Sequence, residues 1–122
     1  MANAINWFEI PANNLERACT FYGKVLGQEV HTQEIGGFMM GFLHDGQDGV
    51  GGALVKGEGH VPSAEGALVY LNGGTDLSDP LNRVEAAGGK VVLPKTKITD
   101  EAGYFGIFID SEGNKVAFHS PS

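Results

Sequence analysis

Three polar side chains stand among aromatic and aliphatic neighbours in short strand-like runs: Glu9 in INWFEIP, Tyr70 in ALVYLN and His119 in KVAFHS. A carboxylate in such a run is rarely buried unless paired. Glu9 is therefore a general base, an anchor for a cationic ligand, or half of a salt bridge with a residue such as Lys115. An imidazole gives or takes protons near neutrality, so His119 either lines a pocket or is a half-exposed residue near a strand end. Trp7 and Tyr70 carry flat faces that stack on a planar ligand or pack against neighbours. Leu68 and Ala117 share the faces of Tyr70 and His119. The candidate ligand-binding set is Trp7, Glu9, Leu68, Tyr70, Ala117 and His119, with no catalytic role assigned to any of them.

Other reactive types carry less. Cys19 sits on an apolar helical stripe without a neighbouring base, which reads as a structural thiol. His31, His44 and His60 lie in turn-rich or strand-end contexts and are expected to be solvated. The glycine doublets do not form G-x-G-x-x-G between a strand and a helix, so no dinucleotide or phosphate loop is indicated. Lys90, Lys95 and Lys97 either attract an anion or protect an edge strand.

Two copies of one unit must position these groups. Residues 13–30, NNLERACTFYGKVLGQEV, align with 75–92, TDLSDPLNRVEAAGGKVV, at an offset of 62 that pairs Leu15 with Leu77, Gly27 with Gly89 and Val30 with Val92. INWFEI matches ALVYLN at 61 or 62, and Gly51 matches Gly113 at 62. In the first copy, Trp7–Ile10 reads as a strand ended by Pro11. A helix follows, with Asn13 and Glu16 at capping-box spacing, an apolar stripe from Leu15 to Leu26, and Gly27 as its stop. Strands are expected over 29–33, 38–43 and 50–55. The second copy repeats the order with a strand over 67–72, a helix over about 78–87 capped by Asp76 or Asp79, and strands over 91–98, 104–110 and 114–120. Pro80 suits a helix's first turn. The expected organisation is module one 1–56, linker 57–66 and module two 67–122. The fold class is α+β, built from two tandem βαβββ units.

Side chains alternate across a strand, so each strand divides into two faces. Phe8 and Ile10, Val69 and Leu71, and Val116 and Phe118 are uniformly apolar and should lie under the helices. The opposite faces mix aromatic and polar groups, the composition of a ligand cleft.

Composition limits the partners. The chain has 122 residues, 42% of them hydrophobic and 19% charged, the balance of one ordinary globular domain. Its nineteen glycines are about twice the usual share of ~7% and punctuate many short strands. A net charge of −7 has the wrong sign for a nucleic-acid surface. No apolar run approaches the ~18 residues of a membrane span, and the N-terminal stretch does not read as a signal peptide. With one cysteine no intrachain disulfide closes, and a reducing cytoplasm is the expected compartment.

INWFEIPANNLERACTFYGKVLG, RVEAAGGKVVLPKT and GYFGIFIDSEGNKVAFHSP together resemble the vicinal oxygen chelate superfamily of glyoxalases, bleomycin and fosfomycin resistance proteins and extradiol dioxygenases. The resemblance covers nearly the whole chain and implies paired βαβββ modules whose sheets curve into a cleft. It also implies a divalent metal held by His, Gln or Glu on the first and last strand of each module. Here those positions fall on Trp7, Leu68 and Ala117, with Val55 as the fourth by the 62 offset. None of these side chains ligates a metal, so no cofactor is expected. A register displaced by two would instead bring Glu9, Tyr70 and His119 to the metal. The expectation is a bleomycin-resistance-like protein that binds a small, partly apolar molecule, with a homodimer as the expected assembly. A metal-dependent glyoxalase-like or dioxygenase-like enzyme and a non-catalytic regulatory or interaction module are the alternatives.

Overall fold

The computed structural model describes residues 3–122. Met1 and Ala2, which open module one, lie outside the described residues. The first half runs β1 (Trp7–Pro11), α1 (Leu15–Leu26), β2 (His31–Ile35), β3 (Phe38–His44) and β4 (Gly51–Lys56). The second runs β5 (Tyr70–Asn72), α2 (Ser78–Leu81), β6 (Lys90–Thr99), β7 (Gly103–Ile109) and β8 (Lys115–Ser120). Each half forms a four-stranded mixed sheet, in the orders β1-β4-β3-β2 and β5-β8-β7-β6. The fold is α+β, and the internal repeat is visible in the matching strand orders. Among the described residues no helix is long and apolar enough to cross a membrane.

The helix-facing sides meet as expected. Ile10, Leu54, Leu71, Val116 and Phe118 are buried in one core with Leu15, Ala18, Phe21, Tyr22 and Val25 of α1, while Phe8 and Val69 pack against its edge. α1 starts at Asn14, whose side chain accepts from the Arg17 backbone N–H at 3.0 Å, and ends at Gly27 in the left-handed region at φ 68°. The cap is thus Asn14 and not Asn13, because it is the Asn14 side chain that accepts from the backbone N–H three residues on. Only one regular turn of the helix expected over 78–87 forms. Beyond Leu81 the chain continues in looser turns, with Val84 N–H donating to Leu81 and Gly88 N–H to Glu85. Gly88 and Gly89 and a missing Pro80 donor leave that segment little intrinsic helicity. Asp76, and not Asp79, accepts from the Ser78 N–H at 2.9 Å.

The β7–β8 turn joins the halves. Glu112, its side chain fully enclosed, accepts from the backbone N–H groups of Asn13 and Asn14 at 2.9 and 2.8 Å. It also takes Nε and Nη2 of Arg17 at 2.6 and 3.0 Å. Asp110 accepts the Tyr22 hydroxyl at 2.8 Å, the N–H groups of Glu112 and Asn114, and Asn114 Nδ2. Burial and the neighbouring Asp110 carboxylate push the Tyr22 hydroxyl well above its ordinary value, so it stays a donor. Asn114 also donates to the Pro11 carbonyl at 2.7 Å. Every strong acceptor in this buried turn has a partner, as a rigid polar junction requires.

Candidate functional site

The faces opposite the helices carry the candidate residues. In the first sheet, Met40, Ala53 and Val55 are buried there, with Trp7, Phe38 and Phe42 packed around them. Trp7 meets Phe42 edge-on at 6.3 Å, and its indole N–H donates to Glu9 Oε2 at 3.3 Å. The other Glu9 oxygen takes Nε2 of His60 at 3.0 Å. The imidazole stands edge-on to Phe38, with ring centres 5.3 Å apart. His60 is therefore half-buried and paired, where the sequence reading leaves it solvated, and it displaces Lys115 as the partner of Glu9. The expectation fails because loop 57–66 has no periodicity from which to read where it crosses the sheet. His31 and His44 are exposed as expected.

In the second sheet Tyr70 and His119 line one depression of about 640 Å³ with Leu71, Asn72 and Pro121. Tyr70 is 51% exposed, and its ring lies 6.3 Å from that of Phe105. His119 Nε2 donates to the Ala102 carbonyl at 2.5 Å. A carbonyl only accepts, so a neutral ring has Nδ1 as its free acceptor. Ala117 is fully buried beneath this face, paired with Tyr70, and Leu68 is half-buried. Glu9 lines a different hollow of about 230 Å³ at the seam, with Glu65, Val69 and Lys115. Within one chain the six candidates thus form two groups. Trp7 and Glu9 touch each other, and Tyr70 and His119 share a depression above Ala117.

Strand pairing tests the implied metal positions. Glu9 pairs with Ala53 and Tyr70 pairs with Ala117. The counterpart of Ala117 is therefore Ala53, 64 residues earlier, and not Val55, because the offset of 62 read in the helices drifts before the last strand. By the same ladder Val55 matches His119, since they pair with Met40 and Phe105 in β3 and β7. Trp7, Ala53, Leu68 and Ala117 offer no donor atom to a metal. Among the described residues no three of His, Cys, Asp and Glu converge on a point. The residues present do not fit a metal ion.

Cys19, Lys95 and Lys97 are engaged within the fold. Cys19 packs beside Gly41, where a Cβ would approach Sγ to 2.5 Å, and burial raises its thiol. β6 is an edge strand. Its Lys95 binds Asp76 at 2.9 Å and lies over the Tyr104 ring, and Lys97 pairs with Asp100. Lys95 heads the hydrogen bonds that hold the Asp76 carboxyl down to about 2. Glu112, which local periodicity does not mark, is the principal polar link between the halves.

A sequence model of the Glyoxalase/Bleomycin resistance protein/Dioxygenase superfamily matches residues 4–118. Comparison with curated proteins finds no match. Among solved structures, hypothetical protein SA1046 from S. aureus is similar at 24% identity and a TM-score of 0.65, over 98% of each chain. An E144Q glyoxalase I mutant from Zea mays is similar at 20% identity and a TM-score of 0.71, over 94% of this chain and 46% of that one. This chain thus spans about half the maize enzyme's length. A glyoxalase/bleomycin resistance protein from Albidiferax ferrireducens T118 is similar at 15% identity and a TM-score of 0.65, over 97% of this chain and 98% of that one.

Proposed function

The chain belongs to the Glyoxalase/Bleomycin resistance protein/Dioxygenase superfamily, and from that premise we propose that it binds a small, partly apolar molecule without a metal. The observation that supports this most is Tyr70, 51% exposed beside His119 in the 640 Å³ depression, with its ring 6.3 Å from that of Phe105. Aromatic rings are normally buried in cores and interfaces, and an apolar hollow with a few polar groups is the usual form of a ligand site. Tyr70 supplies a stacking face and His119 an acceptor, with Leu71 and Pro121 as the apolar lining. Trp7 and Glu9 form the second polar-aromatic group, on module one. At the four family positions the side chains are apolar, so binding rests on shape and stacking.

A thermal-shift screen of metabolites against the chelator-treated protein tests this reading. A ligand present at 100 times its Kd stabilises the native state by about 2.7 kcal/mol. Tyr70→Ala and His119→Ala should each weaken that shift while leaving the unliganded melting temperature nearly unchanged. Stoichiometric bound metal whose removal lowers the melting temperature would overturn the metal-free part and favour an enzyme with displaced ligands.

We also propose a homodimer. Ile35, Met39, Val92 and Ile98 are large apolar residues left exposed, on or beside the edge strands β2 and β6. Pairing covers such edges. Sedimentation should give a mass near twice 12.9 kDa, and a concentration-independent monomer would refute the dimer.

A further inference from the structure

The two sheets carry equivalent faces in unequal states. Glu9 and Tyr70 occupy matching places in the ladders, as do Met40 and Phe105. Over Tyr70, which is exposed and lines the depression, the face is open. Beside Glu9, whose own side chain stays partly exposed, it is crossed by the chain's linker, whose turn is closed by the His60 N–H donating to the Gly57 carbonyl at 3.1 Å. The strap passes so close that a Cβ on Gly57 would lie 2.1 Å from the Phe38 ring. Gly59 has φ +87°, a conformation open to glycine. Glu58, Gly59 and Val61 are exposed, so His60 is the strap's hold on the face.

His60 sits there as a ligand would. It presents an N–H to a carboxylate and a flat ring edge-on to a phenyl group, beside the indole N–H of Trp7. The fit is incomplete, because His60 Nδ1 is buried without a hydrogen-bond partner among the described residues. A buried acceptor left unpaired opposes the closed state. We infer that Glu9, Trp7 and Phe38 form a second binding site, for a small free nitrogen heterocycle with an N–H donor, and that His60 is its tethered internal occupant. A displacing ring donates to Glu9 Oε1, packs on Phe38, and releases the strap to solvent, where Nδ1 is hydrated. A tethered competitor acts at an effective concentration in the millimolar range, so in the resting protein a free ligand must outcompete the chain's own side chain for Glu9.

Imidazole itself is the probe, and Trp7, the only tryptophan, is the reporter. His60→Ala, in a linker turn outside the core, should melt as cooperatively as the wild type and show altered Trp7 emission. Imidazole should restore the wild-type emission, binding the variant about ten-fold more tightly than it binds the wild type. Adding Glu9→Ala to His60→Ala should abolish the response. Tyr70→Ala and His119→Ala should leave imidazole binding unchanged, which separates this site from the depression on module two. The inference is overturned if His60→Ala binds imidazole no better than the wild type, if the double variant binds it equally well, or if Trp7 emission does not depend on His60.

Discussion

Replacing Phe108 by alanine is expected to lower the unfolding free energy by about 3–5 kcal/mol, the usual cost of truncating a fully buried aromatic side chain. Phe108 is completely enclosed. It stacks on Phe118 at 5.0 Å and meets Phe21 and Tyr22 of α1 at 6.1 and 6.3 Å. β7 and β8 belong to the second half and α1 to the first, so the vacated volume opens where the halves share one core. The backbone on either side is fixed by ladders, which limits collapse. Phe105, three residues earlier on the same strand, faces the other way and is half-buried; its alanine variant should cost less than half as much. Urea denaturation of both variants checks the contrast. Equal losses would mean that both faces of β7 are equally buried, and a larger loss at Phe105 that they are assigned in reverse.

Glu112→Ala should cost about 2–4 kcal/mol, because it strands donors that fold against one carboxylate. Truncation leaves the Asn13 and Asn14 N–H groups unpaired at the start of α1, where the helix end also favours a negative charge. The same site predicts an acid limb. Burial by itself would raise the Glu112 carboxyl; hydrogen bonds from Arg17, the Asn14 backbone and Ser111 outweigh it and hold the group below its ordinary value. A depressed carboxyl contributes its full stability above the unfolded glutamate value of ~4.3, and that contribution is lost as the pH falls through the folded value. The wild-type melting temperature should therefore fall more steeply than that of Glu112→Gln below about pH 4.5. Parallel curves would show that other carboxylates govern the acid transition. Asp76 is one such group, titrating near 2 beside Lys95.

The sequence by itself determined the order of elements and the two faces of the strands. Alternation with a period of two separates Phe8 from Trp7 and Val116 from Ala117 without reference to anything distant, and the stripe from Leu15 to Val25 does the same for α1. It left the family's metal positions dependent on register, since Trp7 and Ala117 offer no donor but Glu9 and His119, two residues on, do. The short α2 was only half legible, because Pro80 and paired glycines carry the apolar spacing of a helix without its backbone preference. What only the tertiary structure decided are contacts between residues far apart along the chain. Glu112 lies 98 residues from the Asn14 N–H it accepts, and His60 lies 51 residues from Glu9. Local periodicity reports which way a side chain points from its own element. It holds no information on where an aperiodic loop crosses a sheet or which turn closes over a helix end, because those positions are set by the packing of the whole core.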